Sequence, residues 1–336
     1  MKAAKLGATP GINYIELADI QDPGQPAYGE IRVRIISNSL NYHDINVANG
    51  VLPSNPGRLL MSDGAGVVEE VGEGVTDFNL GDNVVSLFFP DWSDGEAPLA
   101  GFSRTPGDGL DGYATSHVVR PASWFTHAPE GWTHTETATL PTAALTAWRA
   151  LVVNGQIKAG DDVLILGTGG VSIFALQFAL MAGARVWATT SSDEKAKWLL
   201  KQGVAGVVNY RSEPEWGKKI LEMTGGRGVD HVVEIGGPGT FPQSIAAARI
   251  GGHITLVGVF TGTYGEIPTG TIMGKQLSIK GVIVGSRTHQ IDMIRALNAS
   301  NIRPIIDKVF PLEDITAAFE YQVSGHHIGK ICLTTD

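Results

Sequence analysis

Cysteine is nearly absent: Cys332 is the single one in 336 residues. An internal disulfide is therefore excluded, and a metal site would need His and carboxylate ligands. Aromatic residues are sparse, at 7%. Basic residues are in deficit, with 25 Lys and Arg against 34 Asp and Glu and a formal net charge of −9. That argues against a broad nucleic-acid-binding surface, though not against one local basic pocket for a phosphate. No basic run or low-complexity tract occurs. Residues 1–6 lack the apolar core of a signal peptide. The most apolar long stretch, 171–186, follows a glycine turn, contains Gln177 and is too short to cross a membrane. The expectation is a cytoplasmic protein with a small-molecule substrate and neither a membrane nor a nucleic-acid partner.

What is present suits large packed cores: 43% of residues are apolar, and 43 are glycine. The length suggests two domains. Residues 1 to about 126 read as strands and turns. Glu30 to Ile36 alternates polar and apolar side chains, 64–72 is a glycine-punctuated strand, and 81–87 is a third. The segment 90–111, rich in Gly, Asp and Pro, reads as a long surface loop. Residues 135–153 have helical period, with a break at Pro141. Strands then alternate with helices: strands at 162–166, 185–189, 207–210, 229–235, 253–258 and 277–284, helices at 172–182, 193–202, 213–223 and 241–249. Such alternation predicts a doubly wound parallel sheet, an α/β fold. Two amphipathic helices, 290–299 and 312–324, and a last strand, 329–333, suggest that the chain end rejoins the first domain.

The sharpest local signal is Gly167-Thr168-Gly169-Gly170-Val171-Ser172, between the apolar strand 162–166 and the helix after it. Glycine permits the tight turn and the close approach of a pyrophosphate, and the helix N-terminus offers N–H groups to its charge. Ser172 stands where the fingerprint has its third glycine. The next strand ends in Thr189-Thr190-Ser191-Ser192, with no acid to bind ribose hydroxyls. Thr190, Ser191, Ser192 and Lys195 suit a 2′-phosphate, with Lys201 and Arg211 adding positive charge and Tyr210 near the adenosine. NADP(H) is therefore favoured over NAD(H). Asp193 and Glu194 count against this choice unless they are first-turn helix acids stabilised by the dipole.

Asn41-Tyr42-His43-Asp44, Ser62-Asp63-Gly64-Ala65-Gly66-Val67-Val68, Leu140-Pro-Thr-Ala-Ala-Leu-Thr-Ala-Trp148, the glycine turn and Gly329-Lys330 together resemble the medium-chain dehydrogenase/reductase superfamily. Within it the chain is most similar to the zinc-free quinone oxidoreductases and zinc-less alcohol dehydrogenase-like proteins. The resemblance implies a GroES-like β-rich catalytic domain, 1–126 and 288–336, around a Rossmann domain, 127–287, with the active site in the cleft between them. It implies a homodimer paired through an edge strand, here 277–284. It places Thr142 and Thr146 near the nicotinamide end, Gly236 and Gly237 past the adenosine ribose, and Val257, Gly258 and Val259 beside the nicotinamide. Val284, Gly285 and Ser286 would pass the carboxamide, and Lys330 would lie near the cofactor phosphates.

Zinc-dependent relatives carry metal ligands where this chain has Asn41, the stretch Met61-Ser62-Asp63 and Thr142. One oxygen ligand in place of two thiolates and an imidazole predicts no zinc. The four-cysteine lobe of those relatives corresponds to 90–111, which holds none; the acids there read as a solvated loop rather than a calcium site. Without a Lewis acid, hydride acceptors that delocalise charge are the easier substrates, so a quinone or enone is expected. The candidates for polar help are Asn41, Tyr42 and Thr142, Tyr42 being either a proton donor or a packing aromatic. His43 reads as a loop histidine. Phe88, Phe89 and Trp92 read as either a substrate wall or core. The alternatives are a zinc-less dehydrogenase acting on an alcohol or aldehyde, and an NADPH-binding structural protein with little turnover.

Overall fold

A computed structural model describes residues 1–98 and 103–335. The chain divides into two compact units, Met1–Leu145 with Val284–Asp336, and Thr146–Ile283.

The second unit is a six-stranded parallel sheet in the order Gly206–Asn209, Arg185–Thr190, Asp162–Leu166, Val229–Glu234, Ala248–Leu256, Ser278–Gly281. Its central strands are buried because helices cover both faces: every residue of Asp162–Leu166 and Val229–Glu234 is buried, Asp162, Asp230, His231 and Glu234 among them. The helix Gly170–Met181 carries apolar residues on most of its circumference, and Phe174 and Phe178 stack at 6.0 Å. Each fully buried ring of this kind contributes about 2–3 kcal/mol. The helix Asp193–Lys201 starts where Ser192 Oγ accepts the N–H of Lys195 at 3.3 Å.

The first unit holds a seven-stranded sheet. The order is Ile306–Pro311, Lys330–Thr334, Glu30–Ser39, Ala65–Val71, Asn83–Ser86, Phe125–His127, with His117–Pro121 also paired to Glu30–Ser39. The alternation in Glu30–Ser39 puts Ile31, Val33 and Ile35 into one core. The return of the chain end to this unit has a definite register. Lys330–Thr334 lies antiparallel to Glu30–Ser39 with Cys332 opposite Ser39, so Lys330 falls beside the loop that follows Ser39.

Two expectations change in detail. The helix expected over 135–153 is broken into His134–Thr137, a wide π-turn at Leu140–Ala144, Leu145–Trp148 and a second π-stretch, Arg149–Asn154. Pro141 lacks the N–H that a regular ladder needs there. The strand expected over 277–284 is only Ser278–Gly281, and Val284 turns left-handed at φ 44°. Phe88, Phe89 and Trp92 are core, each buried. The middle of the 90–111 loop lies outside the described residues; nearer its ends, Asp91 pairs with Arg104 and Asp111 with Arg58. No described helix is long and apolar enough to cross a membrane.

Candidate functional site

In the first unit, three chain segments and one distant residue converge on the carboxyl group of Asp63. The short helix Tyr42–Ala48 is capped by Asn41, and the Asp44 carboxylate returns to the Asn41 N–H at 2.8 Å. The other Asp44 oxygen accepts the Ser62 N–H at 2.9 Å. That bond anchors the chain just after Met61, a buried residue in the left-handed region at φ 71°. Asp63 is thereby set against the helix cap. Its Oδ2 accepts Asn41 Nδ2 at 2.8 Å and Ser39 Oγ at 3.0 Å, and its Oδ1 accepts Thr142 Oγ1 at 2.6 Å. Lys330 Nζ donates to Asn41 Oδ1 and to the Leu40 carbonyl, both at 2.5 Å.

The cluster buries two carboxylates and one ammonium: Asp44, Asp63 and Lys330 are 2%, 0% and 3% exposed. Burial pushes the Asp63 carboxyl up to about 6, with the Lys330 charge pulling the other way. Burial likewise raises Asp44 and lowers Lys330.

A zinc ion does not fit this donor set. Both Asp63 oxygens already accept hydrogen bonds, Asn41 turns its N–H groups toward Asp63, and an ammonium sits where a second cation would repel it. Among the described residues no three or more His, Cys, Asp and Glu side chains are grouped so as to hold a metal ion.

In the second unit the glycine turn is open. Gly167 lies at φ 71°, and a Cβ on Gly167 or Gly169 would meet nothing within 4 Å. The helix Gly170–Met181 begins at Gly169 without a side-chain cap, so its first-turn N–H groups suit a pyrophosphate. Ser172 fits the place of a third glycine because its hydroxyl folds back onto the Leu166 carbonyl at 2.6 Å. Thr168 is buried and Val171 partly exposed.

At the neighbouring strand end, Thr190 is buried while Ser191, Ser192 and Lys195 are partly exposed and Tyr210 is exposed. Both nearby acids are engaged: Asn209 Nδ2 donates to Asp193 at 2.7 Å and Ser192 Oγ to Glu194 at 2.6 Å. They sit in the first helical turn, and the Ser192 hydroxyl holds the Glu194 carboxyl below its usual range. Gly258 is glycine for a packing reason, since a Cβ there would lie 2.3 Å from the Ile235 carbonyl. Val259 is exposed and Thr146 buried.

Glu234 was not singled out from sequence. It is fully buried and accepts the N–H groups of Gly236 at 2.6 Å and Gly237 at 3.0 Å and the Thr240 hydroxyl at 2.6 Å, fixing the loop after its strand. An acid at the end of a strand, two residues before Gly236-Gly237, was the signal available.

Among the remaining candidates, Tyr42 opens its helix and is 44% exposed. His43 packs edge-on against Phe88 at 5.0 Å. Gly285 leads to Ser286, which caps the helix Arg287–Asn298. Lys330, expected near cofactor phosphates, has its ammonium in the Asp63 cluster.

Two family models match: the alcohol dehydrogenase GroES-like domain over 27–130 and zinc-binding dehydrogenase over 170–299. The chain is 41% identical to a zinc-type alcohol dehydrogenase-like protein of Schizosaccharomyces pombe, covering 97% of this chain and 96% of that one. It is 28% identical to an acryloyl-coenzyme A reductase of Metallosphaera sedula, over 95% and 96%. A solved NAD-dependent alcohol dehydrogenase superposes over 100% of both chains with a TM-score of 0.90 and 32% identity.

Proposed function

The chain belongs to the medium-chain dehydrogenase/reductase superfamily and is an oxidoreductase, and from that premise we propose that it is a zinc-independent, NADP(H)-dependent reductase of a quinone, enone or similar small carbonyl compound. The observation that carries this reading is the hydrogen-bonded set Lys330–Asn41–Asp63–Thr142, in which Asn41, Asp63 and Thr142 fall in the stretches where the resemblance puts the ligands of zinc-dependent relatives. When bound, the nicotinamide supplies the hydride. No strong Lewis acid then polarises the acceptor, so acceptors that spread the arriving charge into an enolate or hydroquinone are favoured. The name of the acryloyl-coenzyme A reductase relative points to the same class of acceptor. This chain's part is to hold the pyrophosphate on the open turn 167–171 and to present the Thr142 hydroxyl.

NADP(H) is preferred on two grounds: no acid stands at 189–192, and Asp193 and Glu194 are tied to Asn209 and Ser192. The alcohol dehydrogenase names among the relatives favour a second reading, oxidation of an alcohol or reduction of an aldehyde. The strand Ser278–Gly281, exposed along its length at the sheet edge, supports a homodimer paired there.

The test is NADPH and NADH binding by fluorescence, then turnover of quinone, enone, aldehyde and alcohol panels. Tighter NADPH binding and fastest reduction of a quinone or enone are expected. Gly169→Asp should remain folded and bind NADPH about 100-fold more weakly, since its carboxylate would point into the open cradle. NADH preference, or turnover of alcohols alone, would overturn the reading.

A further inference from the structure

The orientation of the Asn41 amide beside Asp63 follows from one residue. An ammonium can only donate, so the Asn41 oxygen must face Lys330. The Asn41 amide nitrogen then faces Asp63 Oδ2, which accepts it together with the Ser39 hydroxyl. Oδ2 is thus occupied by two donors. A proton on Asp63 therefore resides on Oδ1, the oxygen 2.6 Å from Thr142 Oγ1.

Two states result. With Asp63 ionised, the Thr142 hydroxyl gives its hydrogen to Oδ1 and presents only lone pairs outward. With Asp63 protonated, Oδ1 donates to Thr142, whose own proton is released to point away from the carboxyl group. Of the side chains bonded to one another here, Ser39, Asn41, Asp63 and Lys330 are buried and only Thr142 is partly exposed. Thr142 is accordingly the one outlet of the network to solvent.

We propose that Thr142 and Asp63 form a two-step proton relay for the reduction, with Thr142 as the group that touches the substrate oxygen and Lys330 as the residue that positions the proton through Asn41. The proposal rests on the reductase reading above. The substrate carbon gains the hydride and its two electrons from the reduced nicotinamide, which is oxidised. The substrate oxygen takes the proton of Thr142 as the Thr142 O–H bond breaks. Thr142 forms a new O–H bond with the proton of Asp63, leaving a carboxylate. After product leaves, Thr142 passes its proton to the Asp63 carboxylate and takes one from a hydronium ion or buffer acid in the solvent, which restores both O–H bonds.

The groups facing Asp63 are Lys330 and Cys332 on the last strand, Asp44 and His43 on the short helix, and Tyr113. Burial raises the Tyr113 phenol and pushes the Cys332 thiol up to about 12, so neither exchanges protons near neutrality. Burial of Asp63 itself brings its titration to about 6, within reach of working pH.

Two readouts test the relay in wild type, Thr142→Val, Thr142→Ser and Asp63→Asn. The first is the infrared band of the protonated carboxyl group in the protein without cofactor, followed against pH. A buried acid band is expected that disappears as pH rises, is absent from Asp63→Asn, shifts in Thr142→Val and returns in Thr142→Ser. The second is the pH profile of kcat with NADPH and the carbonyl panel. The reduction rate should fall as pH rises through the Asp63 ionisation. Thr142→Val should lower kcat about 100-fold and lose that limb, and Thr142→Ser should restore both. A Thr142→Val enzyme with unchanged rate and limb would overturn the relay and leave the reductase reading standing. NADPH binding without reduction of any acceptor would overturn the reductase reading, and the infrared band then decides the relay alone: the same band in wild type and Thr142→Val refutes it.

Discussion

Each unit of the chain buries a cluster of acids and bases, and the two clusters are built on opposite principles. In the second unit Asp162 and Asp230 are held by arginines. Arg185 forks onto both Asp162 oxygens at 2.9 and 2.8 Å, Trp187 Nε1 donates to Asp162 at 2.9 Å, and Arg227 grips both oxygens of Asp230 at 2.8 Å. Burial alone would raise the Asp230 carboxyl, but Arg227, the Asp162 N–H and Arg249 take it well below the usual carboxylate range. Three cations serve two carboxylates there, and the forked geometry ties three strands and the adjoining loops together. In the first unit a single ammonium serves two carboxylates, and the Asp63 carboxyl moves up to about 6. Surplus cation locks a carboxylate in one state; scarce cation leaves it able to change state. The first arrangement is structural and the second is suited to chemistry.

That contrast is open to attack from both sides. The largest effect is expected at Asp162→Ala, which strands Arg185 and the Trp187 N–H and removes the 3.5 Å contact of Arg227. Chemical denaturation should read a loss of about 3 kcal/mol, reduced from the full buried-pair value because both arginines are half-exposed. Cofactor affinity of the folded fraction should stay within a factor of two or so. A loss below about 1 kcal/mol would remove the structural half of the contrast.

Asp63→Asn should act through pH. The native Asp63 binds its proton more tightly than the unfolded chain does, so its ionisation costs native stability as pH climbs from near 4 to near 6. The variant escapes that cost. Its stability relative to wild type should rise by about 2 kcal/mol between pH 4 and pH 7. Asp230 has the opposite sign: its lowered value contributes stability above the unfolded carboxylate range, lost as pH falls through the folded value. A pH-independent difference between wild type and Asp63→Asn would erase the contrast.

Ser172→Ala gives the neutral reference and the smallest effect. It removes one buried hydroxyl and its bond to the Leu166 carbonyl, for about 1 kcal/mol at every pH. A pH-dependent loss there would mean that charge is not what separates the two clusters.

The sequence made some of this visible and concealed the rest for physical reasons. The strand Asp162–Leu166 stood out by its apolar run 163–166 and Val229–Glu234 by Val229, Val232 and Val233, since strands buried on both faces are rich in such residues. The glycine turn stood out because its chemistry is local. Asn41, Asp63 and Thr142 were picked out by position, yet nothing local links them to Lys330, which lies 289 residues from Asn41. That contact depends on one register, Cys332 against Ser39, and register is a property of the assembled sheet. The left-handed Met61 and Val284 were equally hidden, since neither residue type favours that conformation.

The central claim is that Lys330, Asn41, Asp63 and Thr142 do by hydrogen bonding what a metal does in zinc-dependent relatives. Zinc content measured by mass spectrometry on active protein, alongside NADPH-dependent turnover before and after chelation, tests it most directly. The account predicts far less than one zinc per chain and turnover that the chelator leaves unchanged. One zinc per chain, removed together with the activity and restored together with it, would contradict it.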